Sequence, residues 1–274
     1  MSSAKIKNII LIVLVFLNAF FLAIIGVDTI KERTAHRRTV ENLTTIMRNS
    51  GITVREDALH RRDAPLTQKT SRDAYAEATV ARAALGNCEL LETSGTSSSY
   101  GNNQGTATFN VRGEFTVEYD EPYELFTSAT GYSRAIKKLL RKMGIEAVET
   151  YASAVDDYIV ATCLYRGTPI YNCEISFFFE NGKLVRITGR RPSSIVESPG
   201  EAERDLSTAT LGLLKFVLDE KISLTEIHSI TAGYRFNVGA FGAGELTPTW
   251  SFETDVGAFS LDALSGIVEH AKGE

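Results

Sequence analysis

Ile9 to Val27 is an unbroken apolar run of 19 residues with one clearly polar member, Asn18. At about 1.5 Å per helical residue it covers roughly 28 Å, close to the thickness of a bilayer's hydrocarbon core. In hydrocarbon a single segment satisfies all its backbone N–H and C=O groups only as a helix. The run is longer than the apolar part of a cleaved signal, and Ile24–Gly26 offers no small-x-small cleavage site. The sequence therefore predicts a head over residues 1–8, an uncleaved transmembrane anchor over 9–27 and a stalk helix over 28–51. Val40, Leu43, Ile46 and Met47 keep helical spacing in the stalk, and Gly51 ends it. Charge counting alone leans against a cytoplasmic N-terminus. Lys5 and Lys7 precede the run, whereas Lys31, Arg33, Arg37 and Arg38 follow it. Long domains translocate largely regardless of charge, so the expected arrangement is a cytoplasmic N-terminus and an extracytoplasmic C-terminal domain.

The remainder of the chain has the composition of a folded protein. Hydrophobic residues make up 43% of the whole, which excludes wholesale disorder. A net charge of -5 argues against a general nucleic-acid binder, which needs an excess of clustered Lys and Arg. Three cysteines, Cys88, Cys163 and Cys173, are too few for a disulfide scaffold.

Helical stretches alternate with runs of strands. Helices are expected over Ser71–Leu85, Ser133–Met143 and Glu203–Leu218, with Gly86 and Gly144 stopping the first two. Strands are expected near 88–93, 106–111 and 114–119 after the first helix. Four follow the second, near 146–154, 158–166, 170–179 and 183–189. Four follow the third, near 226–236, 248–254, 257–262 and 266–270. Asn181-Gly182 has the chemistry of a tight primed turn. Ser94–Gly105 reads as a flexible hairpin tip, with a binding loop as the alternative. The fold class is α+β: repeated units of one helix on an antiparallel sheet, spanning 52–126, 127–195 and 196–274.

Residues that carry chemistry are scattered. There is no GxSxG elbow, Walker loop, HExxH or CxxC. His36, His60, His228 and His270 show no metal-ligand spacing. Asp156-Asp157 and Asp219-Glu220 read as a turn and a helix end rather than as paired acid and base. No catalytic residue, metal site or cofactor is expected. Cys163 and Cys173 are expected to face each other across a hairpin centred on Thr168, either as small buried hydrophobes or as a cross-strand disulfide.

Several segments, in order, resemble the YycH/YycI family of membrane-anchored regulators of the Wal (YycG) sensor kinase, with YycI the closer match. They are Lys5-Ile6-Lys7-Asn8 with the apolar run, Leu164–Tyr171, Gly233-Tyr234 with Leu246–Trp250, and Asp262–Glu269. The helix-plus-sheet unit also resembles PepSY modules. The resemblance implies a non-enzymatic regulator whose anchor packs beside the transmembrane helices of a sensor histidine kinase in cell-wall homeostasis. A paralogous YycH-like regulator would be a further partner. An amide in hydrocarbon seeks a partner across a helix interface, unless it bonds its own backbone. Leu14, Phe21, Leu22 and Ile25 share a helical face with Asn18, and that face is the expected contact. Two rival readings are a PepSY-like module binding a peptide, protease or cell-wall polymer, and an envelope hydrolase with converging carboxylates.

Overall fold

Alternating burial shows first why these residues become strands. Along Thr168–Glu180, Cys173, Ile175, Phe177 and Phe179 turn inward, while Glu174 and Glu180 face out. The computed structural model describes Leu14 and residues 41–42, 44–55, 58, 65–125, 132–153, 157–196, 206–239 and 242–271. The chain divides into two compact units, Met1–Val54 and Arg55–Glu274. In the first, helical backbone over 44–49 ends at Gly51, where φ is 81°. The Gly51 and Ile52 N–H groups donate to the Arg48 and Met47 carbonyls, closing the helix as the sequence predicts. A short strand, β1 (Thr53–Val54), follows.

The second unit is α+β and mostly sheet. Its helices are α1 (Ala74–Leu85), α2 (Tyr132–Lys142) and α3 (Leu206–Asp219). Before α1 comes β2 (Gln68–Ser71). Between α1 and α2 run β3 (Glu89–Thr93), β4 (Ser97–Asn102), β5 (Gly105–Asn110) and β6 (Glu114–Tyr123). Between α2 and α3 run β7 (Ala147–Ser153), β8 (Tyr158–Tyr165), β9 (Thr168–Glu180), β10 (Lys183–Arg190) and β11 (Ser194–Val196). The chain ends with β12 (Glu226–Val238), β13 (Gly244–Thr254), β14 (Gly257–Asp262) and β15 (Val268–Ala271).

One group of strands is ordered β7-β8-β9-β10-β6-β5-β4-β3, all antiparallel. Pairing of β6 with β10 makes the strands after α1 and those after α2 one continuous sheet. The other group is β11-β2-β13-β12, with β14 and β15 continuing from β13. A single parallel bridge, Tyr234 to Ile170, joins β12 to β9. Helices α1 and α2 cover one face of the first group. Val80, Ala81 and Leu85 of α1 and Ile136, Leu139 and Leu140 of α2 share a core with Phe109, Val117, Ile175, Phe177 and Ile187. Helix α3 lies on β14 and β15, where Phe216 meets Phe259 edge-on at 6.1 Å.

Several sequence expectations are corrected. Helix α1 starts at Ala74, because Asp73 caps it by accepting the Tyr75 N–H and Ser71 belongs to β2. Ser94–Gly105 is not a flexible tip: six of its residues form β4, an internal strand between β3 and β5. Its Ser98 and Tyr100 point inward and its Ser97 and Ser99 outward, so a polar run still satisfies the period of two. The hairpin before β9 turns on Arg166 and Gly167, both at positive φ, and not on Thr168. A bulge between Thr162 and Leu164 then restores the expected register, pairing Thr162 with Glu174 and Ala161 with Ile175. In α3, Leu213 and Val217 are buried together with Ala209, while Leu218 is exposed.

Candidate functional site

Of the proposed transmembrane contact face, only Leu14 is described; it is helical and exposed. Asn18, Phe21, Leu22 and Ile25 lie outside the described residues, as do His36, His60 and Asp156. Among the described residues no helix is long and apolar enough to cross a membrane. His228 sits 3.6 Å from Glu226, and His270 packs edge-on against Phe259. Asp157 takes a positive φ of 51° and its carbonyl accepts the Phe179 N–H, a turn role as expected. Among the described residues no group of three or more His, Cys, Asp or Glu could hold a metal ion.

Cys88, Cys163 and Cys173 are all free thiols, so the disulfide alternative is set aside in favour of two buried small hydrophobes. Cys163 and Cys173 face the same core. Burial pushes the Cys163 thiol up to about 12 and raises that of Cys173 further, with the neighbouring Cys163 adding to it. Cys88 is only half-buried. An aromatic disulfide reagent at pH 8 is therefore expected to modify Cys88 first, and Cys163 and Cys173 only after unfolding. Three equally fast thiols would contradict this burial.

The face of the first sheet turned away from α1 and α2 carries the most organised polar surface. Thr188 of β10 lies opposite Ser176 of β9 and Thr116 of β6. Thr116 lies opposite Thr108, and Thr108 opposite Ser99. Five neighbouring strands thus present a row of hydroxyls, spaced about 4.8 Å apart. Beside the row, the Arg186 guanidinium sits 4.5 Å above the Phe178 ring, and Arg186 lies opposite Glu118. Toward β12 the row runs into a depression of about 800 Å³ lined by Glu114, Thr116, Tyr171, Glu174, Ser176 and Arg190, among others.

The rim of this depression is built where β9 and β12 diverge. Past the Tyr234–Ile170 bridge, the side chain of Asn172 replaces the missing ladder. Its Nδ2 donates to the Phe236 carbonyl at 2.9 Å, and its Oδ1 accepts the Phe236 N–H at 2.8 Å. Tyr171 shares a hydrogen bond with the Thr231 hydroxyl at 2.8 Å. Its ring passes so close to Gly233 that a Cβ there would lie 2.5 Å from it. The Arg190 guanidinium stacks on Phe236 at 5.3 Å. This surface offers hydroxyls, two carboxylates and a guanidinium to a polar ligand. The sequence reading missed it. Its members are outward strand positions, and only the register between strands lines them up.

No protein-family model matches the sequence, and no curated protein matches it. The resemblance to the YycH/YycI family stands on its motifs alone. Among solved structures the chain is similar to an uncharacterized protein from Eubacterium rectale ATCC 33656. The TM-score is 0.49 and the identity 11%, over 82% of this chain and 92% of that one. It is also similar to the Bacillus megaterium YpeB C-terminal domain, with a TM-score of 0.38 and 12% identity over 74% of this chain and all of that one.

Proposed function

We propose that this protein is a non-enzymatic, single-pass membrane regulator of a two-component sensor histidine kinase, with an extracytoplasmic α+β domain of PepSY-like design. The observation that carries the reading is where its family-like motifs meet. Tyr165 and Tyr234 touch ring to ring at 5.9 Å. Tyr171 lies on Gly233, Tyr234 pairs with Pro248, and Trp250 two residues on is fully buried. Motifs more than 60 residues apart in sequence lock one junction together, which suits a scaffold more than a reaction centre. The anchor and stalk would bias the kinase through contacts that differ between its two signalling states. In the full-length pair, Asn18→Leu is expected to weaken association by about threefold to thirtyfold, as for one intramembrane hydrogen bond, without loss of insertion. An in-cell two-hybrid or cysteine cross-linking assay measures it. Unchanged binding after both Asn18→Leu and replacement of the whole anchor would move recognition out of the membrane.

The hydroxyl row favours a second reading, an extracytoplasmic module that binds a cell-wall polymer or peptide on its open sheet face. Thr116→Lys, at the centre of the row, separates the two. It abolishes ligand binding under the second reading and leaves kinase association intact under the first.

A further inference from the structure

Helix α2 is unlike the rest of this acidic chain. Its 11 residues, Tyr-Ser-Arg-Ala-Ile-Lys-Lys-Leu-Leu-Arg-Lys, contain five cations and no acid. Ile136, Leu139 and Leu140 hold it to the sheet. Arg134, Lys137, Lys138, Arg141 and Lys142 are all exposed. None of the five forms an ion pair among the described residues. An amphipathic helix needs only a polar outer face, and mixed charges spaced i to i+4 would stabilise it better than like charges do. Five like charges are therefore a cost that its packing does not require.

The cations are also sorted. The helix is a ridge between two depressions. One, of about 410 Å³, has Arg134, Lys138 and Lys142 along its wall, with Ala83, Leu139, Leu125 and Tyr123 beside them. The other, of about 440 Å³, takes Lys137 and Arg141 but also contains the carboxylate of Glu146. Positions four apart on a helix rise about 6 Å, so the first wall sets three cations at that repeat along roughly 12 Å. A linear chain with one phosphate every 6 Å or so would meet all three. A nucleic acid fits less well, because single strands bind along successive exposed rings. Among the described residues Tyr123 is the one ring in the depression, and its face is stacked on Tyr119 at 5.4 Å.

We propose that the first depression is a binding site for a linear polyol-phosphate polymer, in which a short carbon chain separates successive phosphodiesters. Arg134, Lys138 and Lys142 hold successive phosphates, and Tyr123 and Leu125 pack against the backbone between them. The site is independent of any kinase contact made by the anchor.

The test uses the full chain in neutral detergent micelles and a fluorescein-labelled poly(glycerol phosphate), followed by anisotropy. Binding is expected to weaken with added salt, with a log–log slope of about -2 for three neutralised phosphates. The triple change Arg134→Ala, Lys138→Ala and Lys142→Ala is expected to lower affinity by about tenfold or more. The pair Lys137→Ala and Arg141→Ala, on the other wall, is expected to lower it by less than about threefold. Circular dichroism shows that each variant keeps its fold. Absence of binding at low salt overturns the proposal, as does a triple variant no weaker than the control pair. So does equal competition, phosphate for phosphate, by orthophosphate or by phosphatidylglycerol in the micelles. Tighter binding of single-stranded DNA than of poly(glycerol phosphate) overturns it as well, as does inorganic polyphosphate binding as tightly, phosphate for phosphate.

Discussion

Trp250→Ala is expected to destabilise the second unit by about 3–5 kcal/mol, the range for deleting a fully buried large aromatic. Trp250 is fully buried, in an internal strand. Its register partners are Ala232 on β12 and Leu261 on β14. Those neighbours cannot close a cavity of indole size without shifting two strands. Because this is the chain's one tryptophan, its fluorescence reports on this position alone. The native emission is expected to be blue-shifted and to move red on unfolding. An emission maximum typical of water-exposed indole in the folded protein would refute the core assignment. Trp250→Phe keeps most of the apolar volume and is expected to recover a large part of the loss.

The second large effect is expected at Glu77, a buried carboxylate at the start of α1. Arg72 grips it with two prongs, Nε to Oε1 at 2.7 Å and Nη2 to Oε2 at 3.1 Å. The Ser98 hydroxyl donates to Oε2 at 2.6 Å. Arg191, itself nine-tenths buried, lies within the field of the same carboxylate, and burial lowers its pKa. The bond to Glu77 is the main reason that the Arg72 pKa is raised. Glu77→Ala therefore orphans one hydroxyl and strips the counter-charge from two guanidinium groups. Removing one partner of a buried pair costs about 3–5 kcal/mol. Arg72 keeps some contact with water, so about 3 kcal/mol is expected from urea unfolding. Glu77→Gln preserves the shape and separates the charge from the packing. A loss below about 1 kcal/mol for Glu77→Ala, or one that disappears in 1 M salt, would show that solvent already screens the pair.

Much of this fold was legible because it rests on local chemistry. Gly86 and Gly144 end helices where the sequence places those ends, since each sits at a positive φ that favours glycine. Asn181 and Gly182 turn β9 into β10 for the same reason. Misreadings arose where a distant partner decides. Strand β4 looks like a linker until Glu77 is known to need the Ser98 hydroxyl. Strand β2 is too short and polar to be read alone, and exists because β11 and β13 pair with it. The closure of α3 shows the opposite limit. Lys221 ends α3 at φ 55° with the same pair of hydrogen bonds as Gly144, but nothing in a lysine announces it. The open sheet face was invisible for a related reason. Ser99, Thr108, Thr116, Ser176 and Thr188 are unremarkable singly, and adjacency across five strands is set only by register.

The pairing of β2 has a consequence for how the chain is made. Leu66, just before it, receives a hydrogen bond from the Tyr234 hydroxyl across 168 residues of sequence. Thr70 pairs with Gly244, near the start of β13. During synthesis this early strand emerges long before its partners, and its backbone groups must wait in water until the C-terminal third of the chain arrives. The loop-closure entropy grows only slowly with that distance, but the delay does not shrink. Until β13 arrives, the segment before α1 remains an unfinished edge on which chaperones and proteases can act. A chain truncated before Gly244 would leave it permanently so.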